Sequence, residues 1–144
     1  MLSRWLMALL VALPANVSLA QDVPWVVKRV HGYRIALAVA SVYESAQPGS
    51  DPRHARTIEH RLRVSVHEEG TGRAAALASI VVDVAESGYA GATTALRPVG
   101  PGAPGLYEGR LRLRTEPPYR ILVHATPAAT GRTLEAQFEY RHHQ

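Results

Sequence analysis

The chain has 144 residues, of which 47% are hydrophobic, a formal net charge of +4 and no cysteine. The lack of cysteine excludes a disulfide framework, a nucleophilic thiol and a cysteine-ligated zinc site. The modest positive charge is not clustered with aromatic residues, so it does not favour nucleic-acid binding.

Residues 1–20 have the three parts of a secretory signal peptide. Arg4 gives a basic start, residues 5–17 are almost uniformly apolar, and Ser18 and Ala20 place small side chains where signal peptidase reads them. The alternative is an uncleaved anchor, but the apolar run is shorter than the roughly 20 residues that a membrane-spanning helix needs. We predict cleavage after Ala20, export to the periplasm and no stable membrane insertion of the mature chain.

Residues 21–32 form an apolar lead-in to the predicted domain, which covers residues 33–144. The lead-in contains Trp25 but no clean alternation of apolar and polar residues. Residues 33–43 are rich in Val, Ile, Ala and Tyr and are followed by a Pro- and Gly-rich segment over residues 47–52. This pattern predicts a first strand followed by a loop.

The clearest strand lies over residues 58–67, where apolar and polar residues alternate with a period of two. Turn residues then separate further predicted strands over residues 74–86, 106–115, 119–126 and 133–142, with a weaker one over residues 93–99. No segment of residues 21–144 carries a helical apolar stripe. About seven short antiparallel strands separated by turns are typical of an immunoglobulin-like β-sandwich, so we predict an all-β fold of this kind.

Several motifs between residues 60 and 142 carry a resemblance to a known family. They are Arg61-Leu62-Arg63-Val64-Ser65-Val66, Thr71-Gly72-Arg73, Ala78-Ser79-Ile80-Val81-Val82-Asp83-Val84, Leu106-Tyr107-Glu108-Gly109, Pro118-Tyr119-Arg120-Ile121-Leu122-Val123 and Ala136-Gln137-Phe138-Glu139-Tyr140-Arg141-His142. In these motifs the chain resembles small exported immunoglobulin-like domains of the FixH-like and YtkA-like kind. The resemblance implies a periplasmic domain, and some such domains resemble copper-linked proteins with His and Met ligands.

The chain departs from that ligand pattern. Met1 and Met7 both lie in the signal peptide, and Val99 stands at the position after Leu96-Arg97-Pro98 where the resemblance implies a ligand. Without thiol or thioether groups a soft Cu(I) site is disfavoured. Any metal site in residues 21–144 therefore depends on imidazole.

Three of the seven histidines are the candidate metal ligands. His60 and His142 share the apolar parity of their predicted strands and lie near strand ends, so they are expected at one end of the sandwich, where His54 can join them. Neutral imidazole suits Cu(II) and zinc, which makes copper or zinc the alternative to a protein without a cofactor. The competing interpretation is that two of these histidines are partly buried and hydrogen-bonded to backbone, and that one is solvated.

Six arginines form the candidate partner-binding surface. They have solvent-facing parity on their predicted strands and are Arg61, Arg63, Arg110, Arg112, Arg114 and Arg120. If these strands are neighbours, they form a cationic band that suits an acidic partner or anionic lipid head groups. The competing interpretation is an ordinary charged sheet face in which Glu59, Glu135 and Glu139 pair with the arginines and discourage edge pairing.

No motif indicates catalysis. The chain has no Gly-x-Ser-x-Gly nucleophile turn, no His-Glu-x-x-His sequence and no phosphate-binding glycine loop, and Asp83 and Glu86 flank a strand in a fold that seldom has a cleft. We therefore predict a non-enzymatic accessory module that binds an envelope protein, linked to metal uptake or respiratory-complex assembly. A histidine-based copper or zinc carrier is the alternative, and a ligand-binding or adhesin-like domain is not separable from the first by sequence.

Overall fold

The computed structural model describes residues 23–42, 57–86, 88–114 and 118–141. Within these ranges every regular element is a strand. The strands are β1 (Val26–Val30), β2 (Tyr33–Val42), β3 (Thr57–Glu68), β4 (Leu77–Glu86), β5 (Ala92–Ala95), β6 (Arg97–Pro98), β7 (Leu106–Arg114), β8 (Tyr119–Pro127) and β9 (Leu134–Tyr140). All pairings between them are antiparallel, which confirms the predicted all-β class.

The strands form two sheets, with orders β1-β2-β3-β7-β6 and β5-β4-β8-β9. Leaving out β1, the first sheet has the A-B-E-D order of an immunoglobulin domain, and the second has the C-F-G order with one added edge strand. The predicted immunoglobulin-like sandwich is therefore confirmed, and the described residues contain nine strands where the sequence pattern indicates about seven. The core lies between the sheets.

The inner faces follow the alternation of the sequence closely. On β3, the side chains of His60, Leu62, Val64 and Val66 are all 0% exposed, as the period of two predicts. On β8, the same alternation buries Tyr119, Ile121, Val123 and Ala125. Because each strand has one buried face, a one-residue slip of register would expose these side chains, and the register is therefore well specified.

Strand β1 lies in the segment that the sequence analysis treats as a lead-in. It forms a hairpin with β2 through a two-residue turn, His31-Gly32, in which φ is 46° and 81°. Two successive residues with positive φ match the turn type that best fits the twist of a hairpin. The sequence Val-Val-Lys-Arg-Val does not alternate because β1 is an edge strand, and its residues are exposed apart from Val30, which is half-buried.

The weaker strand predicted over residues 93–99 is divided between the two sheets. Residues of β5 pair with β4, whereas Arg97 and Pro98 pair with β7 across the sandwich. Between them, Leu96 is 7% exposed and its amide donates to the carbonyl oxygen of Ile80 at 3.1 Å. Leu96 thus anchors the crossing between the sheets, and the prediction of a single strand over residues 93–99 is wrong.

Candidate functional site

Neighbouring strands bring five of the six candidate arginines onto one surface. Strands β3 and β7 pair so that Arg61 lies opposite Arg110, Arg63 opposite Glu108 and Glu59 opposite Arg112. The residues between them on β3 point into the core, so these side chains lie on the outer face of the five-stranded sheet. We call this surface the arginine face and define it by Arg61, Arg63, Arg110, Arg112 and Arg114.

Arg120 does not belong to the arginine face. It lies on β8, in the middle of the four-stranded sheet, and is exposed on the opposite side of the sandwich. The prediction that it joins the band is therefore wrong. The alternation of residues along a strand shows which side chains point away from the core, but it does not show to which of the two sheets the strand belongs.

The glutamates that accompany the arginine face differ in part from those expected. The expected pairing of Glu59 with an arginine of this face is confirmed, because its Oε1 lies 3.2 Å from Nη1 of Arg110. Glu135 and Glu139 lie on β9 in the other sheet, so the expectation that they pair with this band is wrong. The main partner is Glu108, whose Oε2 is 2.9 Å from Nε of Arg63 and whose Oε1 is 3.7 Å from Nε of Arg61. The sequence signal for Glu108 was its parity, which matches that of Arg110 and Arg112.

Positive charge exceeds negative charge on this surface. Glu108 is shared by two arginines, and Arg112 forms no ion pair with any residue in the described ranges. Among the described residues, the single ion-pair partner of Arg114 is Glu86, whose Oε1 lies 4.0 Å from Nη1 of Arg114. Arg34, opposite His67 on β3, and Arg97, opposite Glu108 on β7, have the same outward parity and add to the excess. The surface is thus a cationic patch with two strand glutamates within it.

Small residues flank the arginine face on strand β2. Ala36, Ala38 and Ala40 lie opposite Ser65, Arg63 and Arg61, and they share the outer face with them. Although it points outward, Ala38 is only 5% exposed, and the residue opposite it on β3 is Arg63. Arginine stems can lie over such short residues while their guanidinium groups stay in water. The outer face of this sheet therefore carries short apolar side chains on β2 beside the arginines of β3.

Of the candidate metal ligands, only His60 lies in the described ranges; His54 and His142 lie outside them. His60 is fully buried on the inner face of β3, and its Nδ1 is 2.8 Å from the carbonyl oxygen of Ile58. A carbonyl oxygen only accepts, so Nδ1 carries the proton. The ring also meets Tyr140 edge-on, with centroids 5.6 Å apart. Among the described residues, no group of three or more His, Cys, Asp or Glu side chains is placed to hold a metal ion.

A second polar cluster, which the sequence pattern does not indicate, lies on the outer face of the four-stranded sheet. Nε2 of His124 is 2.9 Å from Oδ2 of Asp83, and Nδ1 of His124 is 3.6 Å from Oε2 of Glu135. The hydroxyl of Thr93 donates to Oδ1 of Asp83. This hydrogen bond, together with the hydrogen bond and charge of His124, lowers the pKa of Asp83 and outweighs its desolvation. The cluster joins four strands, β4, β5, β8 and β9, and sequence parity alone does not reveal this.

Asp83 and Glu86 do not form a carboxylate pair. Asp83 points outward on β4, whereas Glu86 reaches towards Tyr119, with its Oε1 3.4 Å from the phenolic oxygen. The hydroxyl of Thr93 donates a hydrogen bond to the carboxylate of Asp83, not to the imidazole of His124. These hydrogen bonds connect Asp83 on β4 with Thr93 on β5 and with His124 on β8.

No protein-family model matches the chain, and no curated protein is significantly similar to it in sequence. Within the ranges that the structure describes, no helix has the length and apolar character needed to cross a bilayer.

Proposed function

We propose that this chain is an exported, non-enzymatic accessory module of the cell envelope, which docks an acidic surface of another envelope protein through its arginine face. The observation that carries the proposal is the placement of five arginines on adjacent strands of one exposed sheet face, with two strand glutamates among them.

The ion pairs within the face do not compete strongly with a partner. The side chains of Arg63 and Arg110 are 43% and 59% exposed, and exposed pairs of this kind contribute about 0–1 kcal/mol each. Guanidinium groups bind carboxylates through two parallel hydrogen bonds, which suits them to an acidic protein surface. A partner carboxylate can therefore replace or join Glu108 and Glu59 at little cost.

The compartment and the biological system are part of the same proposal. The signal-like residues 1–20 support export to the periplasm, and the resemblance to FixH-like and YtkA-like domains supports a link to metal uptake or respiratory-complex assembly. The partner is then an envelope protein with an acidic face.

A second candidate function is a copper or zinc carrier built on histidine. The observation that favours it is the hydrogen bond from Nδ1 of His60 to the carbonyl oxygen of Ile58, because histidines that bind a metal through one ring nitrogen commonly donate from the other to a backbone carbonyl. His142 and His54 are the proposed further ligands.

Site-directed photo-crosslinking in cells tests the docking proposal. A photoreactive side chain replaces Ala40, which lies opposite Arg61 on the outer face, and in the control it replaces Leu122 on the outer face of the other sheet. We expect one discrete adduct from position 40, none of the same mass from position 122, and loss of the adduct in Arg61→Glu/Arg63→Glu. Equal labelling from both positions, or an adduct that survives the double change, would contradict the proposal.

A further inference from the structure

An apolar cleft opens beside the arginine face, where the two sheets part between β5 and β7. It has a volume of about 480 Å³. Its floor is formed by inward-facing side chains, among them Val84, Ala92, Leu111 and Leu113. A volume of this size falls within the range of about 300–1,000 Å³ found for ligand pockets, so it accommodates a bulky apolar side chain.

The neighbouring edge of strand β7 has backbone groups without a strand partner. Strand β6 pairs with β7 only through Arg97–Glu108 and Pro98–Tyr107, and beyond Glu108 no strand in the described ranges pairs with this edge. The carbonyl oxygen of Leu106 accepts from Val99 on this side. Backbone groups alternate between the two sides of a strand, so those of Arg110 and Arg112 point to the same open edge.

The far end of this edge is closed by a side chain. The phenolic oxygen of Tyr119 bonds to the amide nitrogen of Arg114 at 2.7 Å and to its carbonyl oxygen at 3.0 Å. The open stretch therefore ends at Arg114, and it offers the amides and carbonyls of Arg110 and Arg112. Two such residues provide up to four backbone hydrogen bonds to an added strand.

The rim of the cleft is cationic. Arg112, Arg114 and Glu86 line it, which gives two positive charges and one negative charge. Glu86 lies 4.0 Å from Arg114, and Arg112 has no ion pair with the described residues. An occupant with carboxylates is therefore favoured over a neutral or basic one. An apolar floor, a free strand edge and a cationic rim together match the requirements of an extended acidic segment with one bulky apolar side chain.

We propose that an extended acidic segment of the partner adds to the free edge of β7 at Arg110–Arg112 and inserts an apolar side chain into the cleft. Main-chain hydrogen bonds provide affinity in this mode of recognition, and the side-chain pocket provides specificity. This inference rests on the proposed docking function, because it names where on the arginine face the partner engages and what chemistry it presents.

A defined probe peptide tests the mode of binding. The probe is the capped heptapeptide Glu-Val-Glu-Phe-Glu-Val-Glu. The matched probe has Lys in place of every Glu. In a titration followed by amide ¹H–¹⁵N spectra, we expect the largest shifts at Arg110 and Arg112, and binding at least about tenfold weaker for the Lys peptide. N-methylation of the probe residues that face β7 should abolish binding, whereas N-methylation of the alternate residues should not.

Filling the cleft provides the second readout. We expect Ala92→Trp to lower the affinity for the Glu probe by about tenfold or more. Ala129→Trp, in the exposed turn after β8, should leave that affinity unchanged. Equal affinity for the Glu and Lys probes, or no effect of Ala92→Trp, would overturn the inference. Binding of the Glu probe without amide shifts at Arg110 and Arg112 would identify the cleft as a site for small apolar carboxylates. Dimers of the unliganded chain that dissociate in Ala92→Trp would identify a second copy of the chain as the occupant. Either result would also overturn the inference.

The outcomes separate this inference from the docking function on which it rests. If the adduct at position 40 forms and is lost in Arg61→Glu/Arg63→Glu but survives Ala92→Trp, the docking function stands and the cleft proposal falls. If no adduct forms, the docking function falls.

Discussion

The hydroxyl of Tyr119 ties the start of β8 to the end of β7, because its oxygen lies 2.7 Å from the amide nitrogen and 3.0 Å from the carbonyl oxygen of Arg114. A tyrosine at the start of the corresponding strand that bonds back to upstream backbone is a hallmark of immunoglobulin-like domains. Tyr119 is 5% exposed, and burial raises the pKa of its phenol. The contact closes the E–F corner of the sandwich.

The first prediction is that Tyr119→Phe lowers the free energy of unfolding by about 1–3 kcal/mol, since it leaves two partly buried backbone groups without their partner. Urea denaturation of the purified domain measures this change. Tyr89→Phe is the matched control, because that side chain is 72% exposed and should show no change. Equal stability of the two variants would mean that the corner contact does not stabilise the fold.

The second prediction concerns the pKa of Asp83, which the structure places below the ordinary aspartate value of about 3.9. A lowered folded-state pKa contributes stability that is fully present above the unfolded value and is lost as the pH falls through the folded value. Thr93→Val removes the hydrogen bond that contributes most to the lowering, so the titration midpoint of Asp83 should rise.

Carboxyl ¹³C titration by NMR follows Asp83 directly. The control is Thr133→Val, which makes the same change in a threonine whose hydroxyl pairs with Thr126 and not with a carboxylate. A midpoint that stays in place in Thr93→Val, or rises equally in both variants, would contradict the cause assigned to the shift.

A feature of this molecule can be predicted from sequence when the residues that determine it lie within one strand. The alternation of Leu62, Val64 and Val66 is a property of one strand, so the buried face of β3 and the class of fold could be predicted. The assignment of Arg120 could not, because it depends on which sheet β8 joins. The Asp83–His124 contact likewise crosses two strands whose pairing the sequence leaves open.

The edge elements were harder to predict for a physical reason. Strand β1 is mostly exposed, so burial imposes no alternation on Val26 to Val30, and the hairpin depends on positive φ at His31, a residue that seldom indicates such a turn. Leu96 was assigned to a single strand, although it marks the crossing between sheets. Propensity alone does not separate a crossing from a continuous strand.

The third prediction distinguishes the two candidate functions by metal binding. The accessory-module account predicts no stoichiometric Cu(II) or zinc at micromolar protein in titration calorimetry at neutral pH. A carrier would instead show one tight site, weakened by His60→Ala and by His142→Ala and lost as the pH falls through about 6.5. Such a site would favour the second candidate, whereas weak binding unaffected by either change supports the first.

The fourth prediction concerns processing of the N-terminus. If residues 1–20 direct export, periplasmic protein should begin at Gln21, in its free or pyroglutamate form, and intact-mass analysis of that fraction measures this directly. Retention of Met1 to Ala20 in the periplasmic protein would contradict cleavage at this position.

The fifth prediction tests the arginine face by equal changes of charge on the two sides of the sandwich. Arg61→Glu/Arg63→Glu/Arg112→Glu alters the proposed face, and Arg120→Glu/Arg132→Glu/Arg141→Glu makes the same net change on exposed residues away from it. The corresponding Arg→Gln changes at the first three positions remove charge without placing Glu beside Glu108. Circular dichroism establishes that each variant retains its β structure.

The most direct measurement is the dissociation constant of the partner identified by photo-crosslinking, determined by surface plasmon resonance for these variants. For the Glu variant of the arginine face we predict at least about a hundredfold loss of affinity, and for its Gln variant a smaller loss. For the control we predict no more than about a threefold change, because charges at an interface act through local complementarity with the partner. Equal losses in the face and control variants, or none in either, would contradict the claim that this face is the binding surface.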